Sequence, residues 1–331
     1  MTFLECSLNI PGTFLNVTKD RTFVNDANVM FLRLQICLQH MNDTYVQHRL
    51  TLLLPSLSTY CLQLENVGLL QAIRGGGAYM IHVCIMEFQL ALKLFGPDAI
   101  QYGLLSEEES SEKDMEASSE FQRFIFQLSS DYYNTIRQLV FSTSNDDMQC
   151  LCEAISVLRH EILEDQIKTQ NVGTIALSPV FERMIEDTQE RLVYTTQVYI
   201  RDTIEGYEPI GFDLDYPDKL EKAIQSGDVY STWYPTLEST LFVLSSIYRV
   251  LNTKIFEAIA QDVLHLCTTS LLYASDEITR KKGKMDGILF LVKHLLTLRE
   301  QVTPFEIGTS VQEMSLDFSS TTGTLFDELI N

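Results

Sequence analysis

Basic residues are scarce in this chain. Lys and Arg number 24 against 45 Asp and Glu, so 331 residues carry a formal charge of −21. A chain that acidic repels phosphate backbones and anionic headgroups, which argues against nucleic acid as a partner. Glycine (15) and proline (8) are few, and that excludes collagen-like and Pro/Gly-rich low-complexity chains. Long apolar runs are absent too. The best candidate, Gly75 to Met86, contains His82 and at about 12 residues is too short to cross a bilayer. The N-terminus has neither the basic region nor the apolar core of a secretory signal. Seven cysteines at irregular spacing read as reduced thiols of a cytosolic protein. In that compartment the sequons at Asn16 and Asn42 carry no glycan. What remains is an ordinary globular balance, 45% hydrophobic and 21% charged, long enough for about two domains.

Helical periodicity dominates the C-terminal two thirds. From Phe121 to Phe141, Phe121, Phe124, Ile125, Leu128, Tyr132, Ile136 and Leu139 recur every three to four residues and define one apolar stripe. Asn145-Asp146-Asp147 offers caps for a second helix carrying Leu151, Ile155, Leu158, Ile162 and Ile167. It is expected to stop near Asn171-Val172-Gly173. Ser178-Pro179 opens a third helix, which runs to about Ile204. Tyr234-Pro235 opens a fourth, with Leu237, Leu241, Leu244, Ile247, Tyr248 and Leu251. A fifth carries Ile255, Ile259, Val263, Leu266 and Leu271. A sixth carries Ile288, Leu291, Val292, Leu295 and Leu298 and breaks near Thr303-Pro304. A short last helix is expected at Leu325–Ile330. Sustained apolar/polar alternation is lacking, and only 22–34 and 311–318 stay ambiguous.

These signals predict an all-α protein, an elongated rod of antiparallel helical bundles. Its expected divisions are an N-terminal helical region at 1–104, an acidic disordered loop at 105–120, a bundle at 121–204, a linker at 205–232 and a C-terminal bundle at 233–331. The loop sets seven acids against Lys113, so it reads as a solvated spacer whose serines are open to kinases.

Chemistry is conspicuous by its absence. The Gly75-Gly76-Gly77 cluster lacks the downstream Lys-Ser/Thr of a phosphate loop, and no G-x-S-x-G elbow occurs. The glycines are expected to permit a break or close helix packing. Cys150 and Cys152, with His160 downstream, are spaced too tightly for a structural zinc pair and lack a second pair of ligands. His265-x-Cys267 is no better, and His82 reads as a core histidine. Arg280-Lys281-Lys282 with Lys284 suits a helix C-terminus, the alternative being a contact for an acidic partner or headgroup. Trp233, the only tryptophan, is expected to seal the entry to a bundle. No catalytic, cofactor-binding or metal-ligating residue emerges. The first suspects for an enzyme with a non-local site are Arg74 with His82, or His160 with Glu161 and Asp165. An α-solenoid adaptor would show a period of about 40 residues, whereas helix starts near 121, 147, 179, 235, 252 and 285 are uneven.

Several blocks together resemble one family. They are Gly77–Cys84, His160–Asp165, Glu186–Tyr194, Tyr199-Ile200, Asp202 with Gly206-Tyr207 and Pro209, Leu214–Leu220, Trp233–Thr236 and Gly287–Phe305. In order and rough spacing they are similar to the third subunit of the conserved oligomeric Golgi complex, in its middle portion. The resemblance implies a non-catalytic subunit of the helical-rod class of vesicle tethers. It implies a peripheral protein on the cytoplasmic face of Golgi membranes, acting in retrograde transport of vesicles within the Golgi. The implied partners are the other subunits and, through the complex, SNAREs, Rab GTPases and coat proteins. No cofactor is implied.

Overall fold

The computed structural model describes residues 21–95, 120–144, 147–170, 172–220 and 232–305, and every regular element among them is helical. The fold is all-α, as the periodicity predicts. Residues 105–119, 311–318 and the helix expected at 325–330 lie outside the described residues. The chain divides into two compact units: residues 1–139 with 160–184, and residues 140–159 with 185–331.

The first unit contains α1 (Arg21–Leu64), α2 (Leu69–Phe95), α3 (Glu120–Leu128) and most of α4 (Ser130–Ser142). The ambiguous stretch 22–34 is helix. The stripe expected from Phe121 onwards is buried at Phe124, Ile125, Leu128, Tyr132 and Ile136, but it is carried by two helices rather than one. They part at Ser129, which is buried and whose hydroxyl donates to the Ile125 carbonyl at 2.9 Å. Such back-bonding bends a helix.

The glycine triplet does not break α2. A Cβ on Gly76 would lie 2.2 Å from the Tyr132 ring, and one on Gly77 would lie 2.8 Å from Ile162. The two residues are bare because other elements press against them. Tyr132 is fixed in that position by its hydroxyl, which donates to the Ile73 carbonyl at 3.1 Å. Close packing, the second of the two readings, is what the triplet provides.

Val157–Ile167 is wound as a π-helix. Its buried Leu158, Ile162 and Ile167 step by four and then five residues, as a helix bonded i to i+5 requires. The preceding α5 (Met148–Ser156) is capped by Asp147, whose side chain accepts from the Cys150 N–H at 3.1 Å.

The second unit is built around α7 (Pro235–Ile247), α8 (Thr253–Lys281) and α9 (Lys284–Val302). It also takes in the C-terminal part of α6 (Ser178–Ile200), extended by a π turn at Arg201–Glu205. Proline at the first position starts α7, with Tyr234 as N-cap. Asn252 caps α8 by accepting from the Lys254 N–H at 3.0 Å. The chain reverses between α8 and α9 at Gly283, whose φ of +136° is open to glycine and strained for other residues. The stripe expected for α8 is buried at Ile259, Val263 and Leu271 with Ile255 outside it, and the stripe expected for α9 holds at Leu298 but is corrected at Ile288 and Val292. Ile255, Ile288 and Val292 are 43%, 43% and 48% exposed. The inward seam of α9 is Gly287, Phe290, His294 and Leu298. Leucine, isoleucine and valine occur all round α9, so composition alone did not fix its phase.

Candidate functional site

None of the suspected constellations assembles. His82 is exposed rather than in the core. Arg74 does not meet it; its guanidinium forms a fork on Glu161, with contacts of 2.9 and 2.8 Å. That pairing holds the Glu161 carboxyl below its usual range. His160 pairs with Glu164 at 2.7 Å instead of with Glu161 or Asp165. Arg74, Glu161, His160 and Glu164 are all exposed at the surface. Burial pushes the Cys152 thiol up to about 11 and the Cys84 thiol up to about 12, the opposite of what a nucleophilic thiolate needs. Among the described residues no three His, Cys, Asp or Glu side chains converge on a metal position.

The structure instead brings together residues from three separate sequence blocks, 206–220, 232–236 and α9. The core of the second unit joins Leu214, Tyr216, Tyr234, Leu237, Cys267, Leu271, Phe290 and Leu298. Tyr207, Trp233 and Leu220 pack against it half-buried, the sealing role expected of Trp233. Tyr207 donates its hydroxyl to Asp213, which also accepts the Ile210 N–H at 3.2 Å, closing the loop on itself. Four rings then meet edge to face in three pairs. Tyr207 lies against Tyr234 at 5.7 Å, Tyr234 against Phe290 at 5.6 Å, and Tyr216 against Phe290 at 4.9 Å. Edge-to-face pairs add about 0.5–1.5 kcal/mol each beyond their buried area.

A polar latch sits beside the rings. The carbonyl of Thr232 faces three groups: the Tyr216 hydroxyl at 3.1 Å, the Lys293 ammonium at 3.2 Å and His294 Nε2 at 3.3 Å. Lys293 also donates to the Tyr216 hydroxyl at 2.8 Å. At the hairpin end Lys282 joins Asp215 at 2.7 Å and Asp218 at 2.9 Å. The C-terminal part of loop 206–220 is thereby fixed to α9 through Tyr216 and to the turn between α8 and α9 through Asp215 and Asp218. Periodicity missed this latch because its hub is a backbone carbonyl, Tyr216 lies in a loop, and Lys293 and His294 sit mid-helix. The signal present is the density of Tyr, Asp and Pro within 206–220.

His294 is fully buried, with Nδ1 2.8 Å from the Phe290 carbonyl. Both ring nitrogens face carbonyls, which only accept, so one protonated nitrogen cannot serve both. Burial, with the Lys293 charge alongside, nevertheless pushes the ring down to about 4. Burial likewise pushes Lys293 down to about 8. The unfolded chain protonates its histidine near 6.5, before the folded one does. This group therefore removes stability as pH falls from 6.5 to 4, by on the order of 3 kcal/mol. Urea unfolding of the second unit, followed by Trp233 fluorescence, is expected to weaken across that window in the wild type and less in His294→Gln. An equal pH slope in both would refute the neutral buried imidazole.

Comparison with known proteins follows the same residues. The family model described as "Conserved oligomeric Golgi complex subunit 3, C-terminal" matches residues 19–321. The chain is 29% identical to the Homo sapiens "Conserved oligomeric Golgi complex subunit 3" over 93% of its own length and 41% of the human protein. It is 37% identical to the Dictyostelium discoideum protein of that name over 60% of its length and 24% of that protein. It is 25% identical to the Saccharomyces cerevisiae one over 87% and 41%. The chain thus spans about two-fifths of the human relative it matches. No solved structure matches it.

Proposed function

The chain belongs to the family of conserved oligomeric Golgi complex subunit 3, and from that membership we propose that it is a non-catalytic scaffold subunit of that complex. In this reading it supports vesicle tethering in retrograde transport within the Golgi, from the cytoplasmic face of the membrane. Its direct partners are the other subunits, and SNAREs, Rab GTPases and coat proteins are reached through them. The observation that carries the reading is the fate of the family-like blocks. Tyr207, Leu214, Tyr216, Tyr234, Phe290 and His294 all serve one internal joint. Residues that set the shape of a helical unit suit a protein that works by presenting surface. Among the described residues no helix is long and apolar enough to cross a membrane, which supports attachment through partners.

The test is co-purification of the tagged chain with the remaining subunits expressed together. Recovery of at least one neighbouring subunit, stable to dilution, is expected. A folded, helical chain that recovers none of them would overturn the assignment.

A further inference from the structure

Two lysines of the second unit come together without an acid. Beyond Asp215 the chain closes one helical turn, in which the Lys219 N–H donates to the Asp215 carbonyl at 2.9 Å. On that turn Tyr216 and Lys219 stand three residues apart and share a face. Lys293 approaches the same turn from α9, its ammonium 5.4 Å from the centre of the Tyr216 ring, and the Lys219 ammonium lies 5.0 Å from the centre of the Phe212 ring.

Lys219 is only 8% exposed, and lysine is almost never that buried without a counter-charge. Among the described residues it forms no ion pair, and its ammonium rests against the Phe212 ring alone. The Lys293 ammonium meets only neutral acceptors, the Tyr216 hydroxyl and the Thr232 carbonyl. The acids of loop 206–220 are engaged elsewhere or stand apart. Asp213 holds the Tyr207 hydroxyl and the Ile210 N–H, Asp215 and Asp218 hold Lys282, and Glu208 is exposed and pairs with neither lysine. Beyond burial, the charges that act on Lys293 and on the adjacent His294 are cations: Lys219 on the first, Lys293 and Lys219 on the second. In a chain of net charge −21, this corner is positive.

We propose that Lys219 and Lys293, together with the Tyr216 hydroxyl, bind a phosphate monoester. A phosphate near its dianionic state matches two ammonium groups, where a single carboxylate leaves one charge over. Lysine binds phosphate as a point charge, and each ammonium carries three N–H donors. Lys219 commits none of them among the described residues, and Lys293 keeps one beyond its bonds to Tyr216 and Thr232. The acidity of the rest of the chain does not forbid this, because charges more than about 8 Å away are largely screened at physiological salt. The phosphate can be carried by a small soluble ester or by a lipid headgroup.

The test is competitive acetylation of the full chain with limiting acetic anhydride, read lysine by lysine by mass spectrometry. About 10 mM glycerol 3-phosphate is expected to slow acetylation of Lys219 and Lys293 about ten-fold, as a Kd of ~1 mM gives. Lys254, exposed in the first turn of α8, should react as before, and sodium chloride at equal ionic strength should protect none of the three. Lys219→Met removes one ammonium and leaves the hydrogen bonds of Lys293 in place. It is expected to abolish the protection of Lys293, with Trp233 fluorescence verifying the fold. Vesicles containing phosphatidic acid carry the same phosphate on a lipid. Protection by them as well assigns the group to a membrane, and protection by the soluble ester alone assigns it to solution. No protection, equal protection by chloride or of Lys254, or protection of Lys293 that survives Lys219→Met would overturn the proposal. Glu221 and Asp228 lie outside the described residues. Protection seen only in Glu221→Gln with Asp228→Asn would assign the two lysines to the chain's own acids and overturn the proposal as well.

Discussion

Gly287→Val is expected to cost the second unit about 3 kcal/mol or more, at the upper end of what overpacking does. A Cβ at this position would lie 2.0 Å from Thr279 Oγ1 and 2.7 Å from the backbone carbonyl oxygen of Ser275. The hydroxyl can rotate away, but the carbonyl belongs to the hydrogen-bond ladder of α8 and cannot. The same approach lets the Ser275 hydroxyl donate to the Gly287 carbonyl at 2.8 Å, so widening the hairpin also loses that bond. Helix propensity runs the other way. Glycine in a helix interior is about 1 kcal/mol worse than alanine, and relieving that penalty is smaller than the contact term. The expected result is a midpoint lower by about 6–12 °C for a unit of this size, followed by Trp233 fluorescence. Gly287→Ala is expected to lose less. Thr279→Ala placed in the valine background should restore only part, because the backbone contact remains. A valine variant within about 0.5 kcal/mol of wild type would show that the hairpin is looser than the distances say.

How much of this was legible beforehand depends on where the physics resides. Stripes of one helix against a core were legible: Phe124, Ile125, Leu128, Tyr132 and Ile136 are buried as spacing predicts. So were starts marked by a chemical signal, such as Asp147 before α5 and Tyr234-Pro235 before α7. The phase of α9 was not, because apolar residues surround it and only tertiary contact selects Phe290, His294 and Leu298 as the seam. The break at Ser129 was hidden for a similar reason. It depends on a hydroxyl choosing the Ile125 carbonyl, a choice that serine makes in some helices and not in others. Close-packed glycines looked like a possible break because spacing cannot distinguish a missing side chain that frees the backbone from one that makes room. Tyr132 and Ile162, far away in sequence, decide it at Gly76 and Gly77. The joint between 206–220 and α9 was the least legible part. Its members are scattered, and its hub is the carbonyl of Thr232, a group every residue has.

That joint has its own largest test. Phe290 is fully buried and is the ring that Tyr216 and Tyr234 both strike edge-on. Phe290→Ala is expected to cost about 3–5 kcal/mol, the range for deleting a buried phenyl group and leaving a void. The position should lie high in that range, because the void is walled by groups that are fixed elsewhere and cannot collapse into it. Tyr216 is tied through its hydroxyl to Thr232 and Lys293, and His294 to its own helix carbonyl. Phe290→Leu keeps most of the volume and should cost clearly less. The damage should also be local. Loop 206–220 reaches α9 chiefly through Tyr216, so limited proteolysis is expected to cut within 206–220 in Phe290→Ala and not in wild type. Amide exchange in α2, which belongs to the first unit, should stay as it was. If α2 lost protection to the same degree as α9, the two units would unfold as one, and the joint would hold the whole chain rather than its second unit.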